Sequence, residues 1–189
     1  MPTAISRQIS RHAFAIVGAV ALACCVDSDA ARAQDYAAIV ASPDRSDADR
    51  NNDKKRKPEQ MLAFTGVKTG MKVMDIVSSA GYSAELLARS VGPSGTVYAV
   101  NSKDTADRVK DRFEPRLGKV KSLVPVVREY ADPVPPEVSN LDLVTIYFSY
   151  HDLVHIGVDR AGMNKKVFAA LKPGGFSSSP ITRPRQAMG

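Results

Sequence analysis

Tyr150, His151 and Asp152 stand in a row, and His151–Asp152 is the one place in the sequence where a histidine neighbours an acid. An imidazole beside a carboxylate, with a phenol next to it, can move a proton or hold a polar substrate. A structural reading stands beside that one, in which His151 and Asp152 cap the loop before Val158. A second set of residues suits ligand binding. Asp75 precedes the small-residue run Val77-Ser78-Ser79-Ala80-Gly81, with Tyr82 after it, a composition that lets a ligand approach main chain. Asn101 and Asp132 each follow an apolar run and can accept hydrogen bonds. His155 has no comparable neighbours and reads as a surface histidine. The residues show no metal-ligand spacing, so no metal is expected.

These positions need elements to hold them. Val73 to Val77, apolar except for Asp75, reads as a short strand buried on both faces. A helix begins near Ser83, turns Leu86, Leu87 and Val91 inward, and stops at Gly92-Pro93. Strand, small-residue turn and helix make the front half of a nucleotide-binding βαβ unit, with unpaired N–H groups at the helix start. Thr96 to Val100 reads as a second strand ending at Asn101, and Arg108 to Leu117 as a helix interrupted by Pro115. Leu123 to Arg128 is a third strand, followed by Asp132 and the rigid Pro133–Pro136 connection. Leu141 to Phe148 is a nearly all-apolar fourth strand, as a central parallel strand should be. It delivers Tyr150, His151 and Asp152 to the carboxyl end of the sheet beside strand one, where open α/β sheets bind ligands. A helix from Asp159 to Leu171 ends at Lys172-Pro173-Gly174-Gly175.

The chain has 189 residues, 44% hydrophobic and 24% charged, which suits a globular protein with one main domain. Its formal charge is +6, but the densest basic run, Lys54-Lys55-Arg56-Lys57, lies among Asp47, Asp49, Asp53 and Glu59. That run reads as a solvated helix face, not a nucleic-acid surface. Residues 1–33 read as a secretory signal peptide: Arg7 and Arg11, then apolar Ala13 to Val26, then Ala31-Arg32-Ala33 before Gln34. The apolar run is shorter than the roughly 20 residues of a membrane span. The expected location is periplasmic, without membrane attachment after cleavage; a lipoprotein signal using Cys24 or Cys25 is the alternative. Both cysteines and His12 fall in this segment, so no thiol chemistry is expected of the exported chain.

The residues Val73-Met74-Asp75-Ile76-Val77-Ser78-Ser79-Ala80-Gly81-Tyr82 resemble the first motif of class I S-adenosylmethionine-dependent methyltransferases. More narrowly, the segment is similar to a bacterial exported family of predicted methyltransferases with the pattern V-L-D-x-G-x-G-x-G-Y-x-x-E-L-L-A. Asp75, Gly81, Tyr82, Glu85, Leu86, Leu87 and Ala88 match, whereas Val77 and Ser79 stand where the first two glycines would be. Similar stretches include Asp44-Arg45 through Arg50, Lys57 to Gly66, Phe148 to Asp152, and Val158 to Gly175. The resemblance implies an α/β Rossmann-like methyltransferase fold with S-adenosylmethionine as cofactor and a small-molecule methyl acceptor. It implies cofactor contacts from Asp75, Ser79, Gly81 and Tyr82, a ribose contact from Asn101, and an adenine contact from Asp132. Asp132 reads equally as a turn residue before Pro133. Arg45 or Arg50 would reach a carboxylate, or form surface ion pairs, while Leu62 and Phe64 pack inward. Tyr150, His151 and Asp152 would meet the acceptor.

The expected organisation is a signal peptide at 1–33, a polar lead at 34–56, a methyltransferase-like domain at 57–175 and a disordered tail at 176–189. A complete domain of this kind has strand order 3-2-1-4-5-7-6, and the chain is expected to supply about four strands, its C-terminal strands missing through truncation. Three serines and two prolines after Phe176 do not suit a central strand. A reading-frame shift near Gly175 would account for this, since a shifted frame can read L-V-V-A-D-H-S-A. Strand four would then be an exposed edge. An exported, non-catalytic binding protein or decayed relative is the alternative function, supported by Val77 and Ser79. The acceptor and the oligomeric state are not legible.

Overall fold

The computed structural model describes residues 34–178. Five short strands form one parallel sheet: β1 (Lys72–Ile76), β2 (Thr96–Asn101), β3 (Leu123–Val127), β4 (Leu141–Thr145) and β5 (Leu171–Ser177). Their order across the sheet is β3-β2-β1-β4-β5, which puts β1 at the centre and a topological switch between β1 and β4. The helices are α1 (Tyr36–Val40), α2 (Asp47–Arg56), α3 (Pro58–Thr65), α4 (Tyr82–Val91), α5 (Lys103–Lys119), α6 (Asp152–His155) and α7 (Arg160–Ala170).

Alternation along β1 builds two cores. Val73 packs with Leu62, Leu86, Leu87 and Val91 on one face, and Met74 and Ile76 pack with Leu153, Met163 and Val167 on the other. Each fully buried aliphatic side chain contributes roughly 1.5–3 kcal/mol. Local signals set the helix ends. Pro58 opens α3, Gly66 closes it in the left-handed region, and Ser46, Ser102 and Asp159 cap α2, α5 and α7 with side-chain oxygens.

Several elements depart from expectation. Helices α1 and α2 occupy the polar lead, because Ser46 caps α2 and Asp47 and Asp49 complement its N-terminus. Phe64 does not pack inward but is 71% exposed, while Leu62 is fully buried. The helix around Pro115 runs from Lys103 to Lys119 and absorbs the proline. β4 ends at Thr145, short of Phe148, and it is not an edge. Phe176 and Ser177 pair with Leu143 and Val144 as β5, and the Ser178 amide donates to the Val144 carbonyl at 3.0 Å. An edge strand tolerates the proline and glycines that a central one would reject. The expected signal peptide and residues 179–189 lie outside the described residues.

Candidate functional site

The turn between β1 and α4 carries an unusual main chain. Val77, Ser79 and Gly81 have φ of +60°, +51° and +83°, three alternating residues in the left-handed region. Only glycine enters that region freely, and a β-branched valine there is a strained outlier. The backbone thus keeps the shape of an alternating-glycine loop although glycine remains at one of its three positions. A Cβ at Gly81 would stand 2.9 Å from Arg116 Cδ and 3.0 Å from the Phe113 ring. The helix that follows has no side-chain cap for its first amides.

Two buried side chains hold the turn. Asn101 at the end of β2 accepts from the Ser79 amide at 2.7 Å and donates to the Ser79 carbonyl at 3.0 Å. Asp75, 1% exposed, accepts from the hydroxyls of Ser83 and Thr145, each at 2.7 Å, and so links β1 to α4 and β4. Asn101 thus holds the main chain of the turn, and Asp75 the elements that flank it. Burial pushes the Asp75 carboxyl up to about 6, with the hydrogen bonds from Thr145 and Ser83 opposing the rise. A folded-state value above the unfolded one means the native protein binds the extra proton, so this group's stabilising contribution falls as pH rises from about 4 to about 6. Asp75→Asn is expected to flatten that part of the stability–pH curve, read as urea midpoints at stepped pH; an unaltered slope would refute the assignment. Below that window, Asp49 and Asp53, held low by their arginine partners, act with the opposite sign.

Two clefts meet at this turn, and Val77, Ser79 and Ser149 line both. The larger, about 840 Å³, lies over the carboxyl ends of the strands and is walled by Ser102, Thr105, Tyr130, Asp152 and Leu153. Tyr130 lines this cleft, and its hydroxyl is buried without a hydrogen-bond partner. The smaller, about 510 Å³, runs between α2, the turn and α5, past Asn52, Arg56, Tyr82, Arg112, Tyr147 and Phe148. Both volumes fall in the roughly 300–1,000 Å³ range of small-molecule and cofactor sites.

Charged residues fasten α2 beside the turn. Arg116 donates to Asp49 at 2.7 and 3.0 Å, to Glu85, and to the Ala80 carbonyl at 2.7 Å. Burial works against the Asp49 charge, but the Arg116 guanidinium outweighs it and keeps the carboxyl below the usual range. Arg45 is buried and donates twice to Asp53, at 2.8 Å each. The Tyr82 hydroxyl donates to the same Asp53 at 2.7 Å, and burial together with that carboxylate holds its phenol well above the ordinary range.

The structure therefore brings Asp75, Ser79, Gly81, Tyr82 and Asn101 together at one turn. Arg45 is neither a surface ion pair nor free for a ligand, because Asp53 and the Val40 carbonyl take its donors. Arg50 donates to the Ser42 carbonyl. Asp132 faces Arg128 and Lys166, the latter at 2.8 Å, and is not among the residues lining either cleft. Tyr150 turns toward α7: its hydroxyl accepts from Asn164 at 3.1 Å and Arg160 lies over its ring. His151 and Asp152 pair at 3.1 Å, with side chains 72% and 57% exposed, and Asp152 reaches the larger cleft. His155 is exposed. Asp53, Arg56, Arg116, Tyr130 and Phe148 escaped the sequence reading, since only contacts between distant segments single them out.

Strand order, switch-point crevice and turn together define a Rossmann-like methyltransferase fold. A SAM dependent methyltransferase from Aquifex aeolicus matches with a TM-score of 0.52 and 24% identity, covering 61% of this chain and 58% of that one. A protein-L-isoaspartate O-methyltransferase matches with a TM-score of 0.50 and 28% identity, covering 63% and 34%. In sequence, the ubiquinone/menaquinone biosynthesis C-methyltransferase UbiE of Cupriavidus necator is 33% identical over 115 residues, 60% of this chain and 44% of that protein. The chain thus spans less than half the length of the curated relatives it matches. No family model matches it.

Proposed function

We propose that the chain is an S-adenosylmethionine-dependent methyltransferase acting on a small-molecule acceptor. The left-handed main chain at Val77, Ser79 and Gly81 carries this reading, because it opens the end of the central strand to close approach by a ligand. The cleft of cofactor size at this turn and the methyltransferase relatives support it. When bound, S-adenosylmethionine supplies an electrophilic methyl group on a sulfonium. Ser79, Gly81 and Tyr82 would hold it at the turn, and Ser102 and Tyr130 along the larger cleft. Asp75 and Asn101 keep the turn in shape beneath them. Asp152 orients His151 through its Nε2, leaving Nδ1 to take a proton from an acceptor and pass it to water.

Titration calorimetry of the purified chain with S-adenosylmethionine tests the reading, with heat of binding as the expected result and silence at millimolar ligand as the refutation. Val77→Gly removes a branched side chain from both clefts and is expected to tighten binding roughly 5–10-fold, equivalent to about 1 kcal/mol. The same Val77 side chain favours a second reading, a non-catalytic binding protein. Ligand binding without turnover, persisting in Val77→Gly, would identify that case.

A further inference from the structure

We propose that the two clefts sort the ligands by charge, the larger taking the cationic cofactor and the smaller a methyl acceptor that carries a carboxylate. The proposal rests on the methyltransferase reading and names the chemical class of its second ligand. Four basic side chains line the smaller cleft, Arg56, Arg112, Arg116 and Lys119, against two acids, Asp49 and Asp111. The larger cleft has the reverse balance, with Asp104, Glu129, Asp152 and Asp159 against Lys103 and Arg108. A cleft lined mainly by one sign of charge concentrates its field and attracts the opposite ion. Val77, Ser79 and Ser149 line both clefts, so ligands held in the two would meet there.

Pairing within the protein cancels neither excess. In the smaller cleft Arg116 meets Asp49 at 2.7 and 3.0 Å, and it shares Glu85 with Arg89. Arg56 lies against the Tyr82 and Phe148 rings, which leaves its charge without a counter-ion. Lys119 donates to the Asp44 carbonyl at 2.6 Å, a neutral partner. Arg112 makes no hydrogen bond or ion pair among the described residues, and Asp111 is the one lining acid left to oppose these cations. In the larger cleft Lys103 pairs at 2.8 Å with Asp107, which lies outside the lining. Asp104 and Glu129 have no ion-pair partner among the described residues. The positive cleft suits an acceptor's carboxylate better than the cofactor's own. The amino-acid end of S-adenosylmethionine carries an ammonium beside its carboxylate, and that ammonium would meet the same repelling field. A simple carboxylate has no such conflict, and the planar fork of the unengaged Arg112 matches its two oxygens.

The test titrates the purified full chain with 3-phenylpropionate, neutral 3-phenylpropionamide and cationic 3-phenylpropylamine, each with S-adenosylhomocysteine at saturation. Binding of S-adenosylhomocysteine is measured first and alone. Its absence would overturn the methyltransferase reading and the acceptor site with it. Where it binds, the acid is expected to bind at least about fivefold more tightly than the amide, with the amine weakest. Arg112→Gln should bring the acid-over-amide ratio near unity, and Arg112→Glu should place the amine above the acid. Neither should change the affinity for S-adenosylhomocysteine by more than about twofold. A parallel loss would assign the positive cleft to the cofactor's carboxylate and overturn its role for the acceptor. Asp104→Asn combined with Glu129→Gln should weaken S-adenosylmethionine relative to S-adenosylhomocysteine, since only the former carries the sulfonium charge; an unchanged ratio would overturn the sorting. The substituted side chains are exposed, and circular dichroism verifies that the variants fold. Equal binding of the three compounds by the wild type, or an acid preference that survives Arg112→Glu, would overturn the anionic acceptor while leaving the cofactor reading intact.

Discussion

Arg116→Ala is expected to destabilise the protein by about 3–5 kcal/mol, a large share of the roughly 5–15 kcal/mol that holds a domain of this size together. The side chain joins three elements: it emerges from α5, pairs with Asp49 of α2 and Glu85 of α4, and donates to the Ala80 carbonyl in the turn. Arg116, Asp49 and Glu85 are all buried, so removing the cation leaves the Asp49 carboxylate without a counter-charge in poorly hydrated surroundings and takes one of two cations from Glu85. Arg89 still reaches Glu85 at 2.8 Å, so the larger part of the loss falls on Asp49. Urea unfolding measures the effect. A drop below about 1 kcal/mol would show that the cluster behaves like surface ion pairs. Adding Asp49→Asn to Arg116→Ala should recover part of the loss, since the neutral amide tolerates burial better than an unpaired carboxylate. The same loss should loosen α2 from the turn and so open the smaller cleft.

Gly81→Ala comes second, with an expected cost of about 2–5 kcal/mol from two additive effects. The left-handed φ of +83° penalises any Cβ by roughly 1–2 kcal/mol. The new methyl also meets Arg116 Cδ at 2.9 Å and the Phe113 ring at 3.0 Å, an overpacking worth roughly 1–3 kcal/mol. Thermal unfolding should report a lower midpoint; an unshifted one would mean the turn relaxes freely. The contrast with Val77→Gly in the same turn is informative. That substitution relieves a φ of +60° on a branched residue and should stabilise, whereas Gly81→Ala imposes the strain that Val77 already bears.

Strand β1, the turn and α4 were legible from residue order because their causes are local. A short apolar run, small residues and an amphipathic helix follow from side-chain size and spacing within one continuous stretch of chain. The centrality of β1 and the crevice beside β4 were implied by the family resemblance carried by Val73 to Tyr82, and the observed order β3-β2-β1-β4-β5 agrees with it. The α2 helix was legible only as a solvated basic face at Lys54 to Lys57, because its polar residues show no apolar period. What holds it is the capping Ser46 and the buried pairing of Asp49 with Arg116, 67 positions away. The pairing of Phe176 and Ser177 with β4 was hidden for a similar reason: an edge strand is recruited by the hydrogen-bonding groups of its neighbour, whatever its own propensity.

Residue types by themselves determined a doubly wound sheet with a ligand turn at the end of its first strand, since apolar periodicity and turn chemistry act at short range. Only the tertiary structure decided that Val77 and Ser79 adopt glycine conformations, because Asn101 from the next strand grips Ser79 from both sides. It likewise turned Tyr150 toward Asn164 and set Phe148 beneath Arg56, contacts between distant segments that no local pattern encodes.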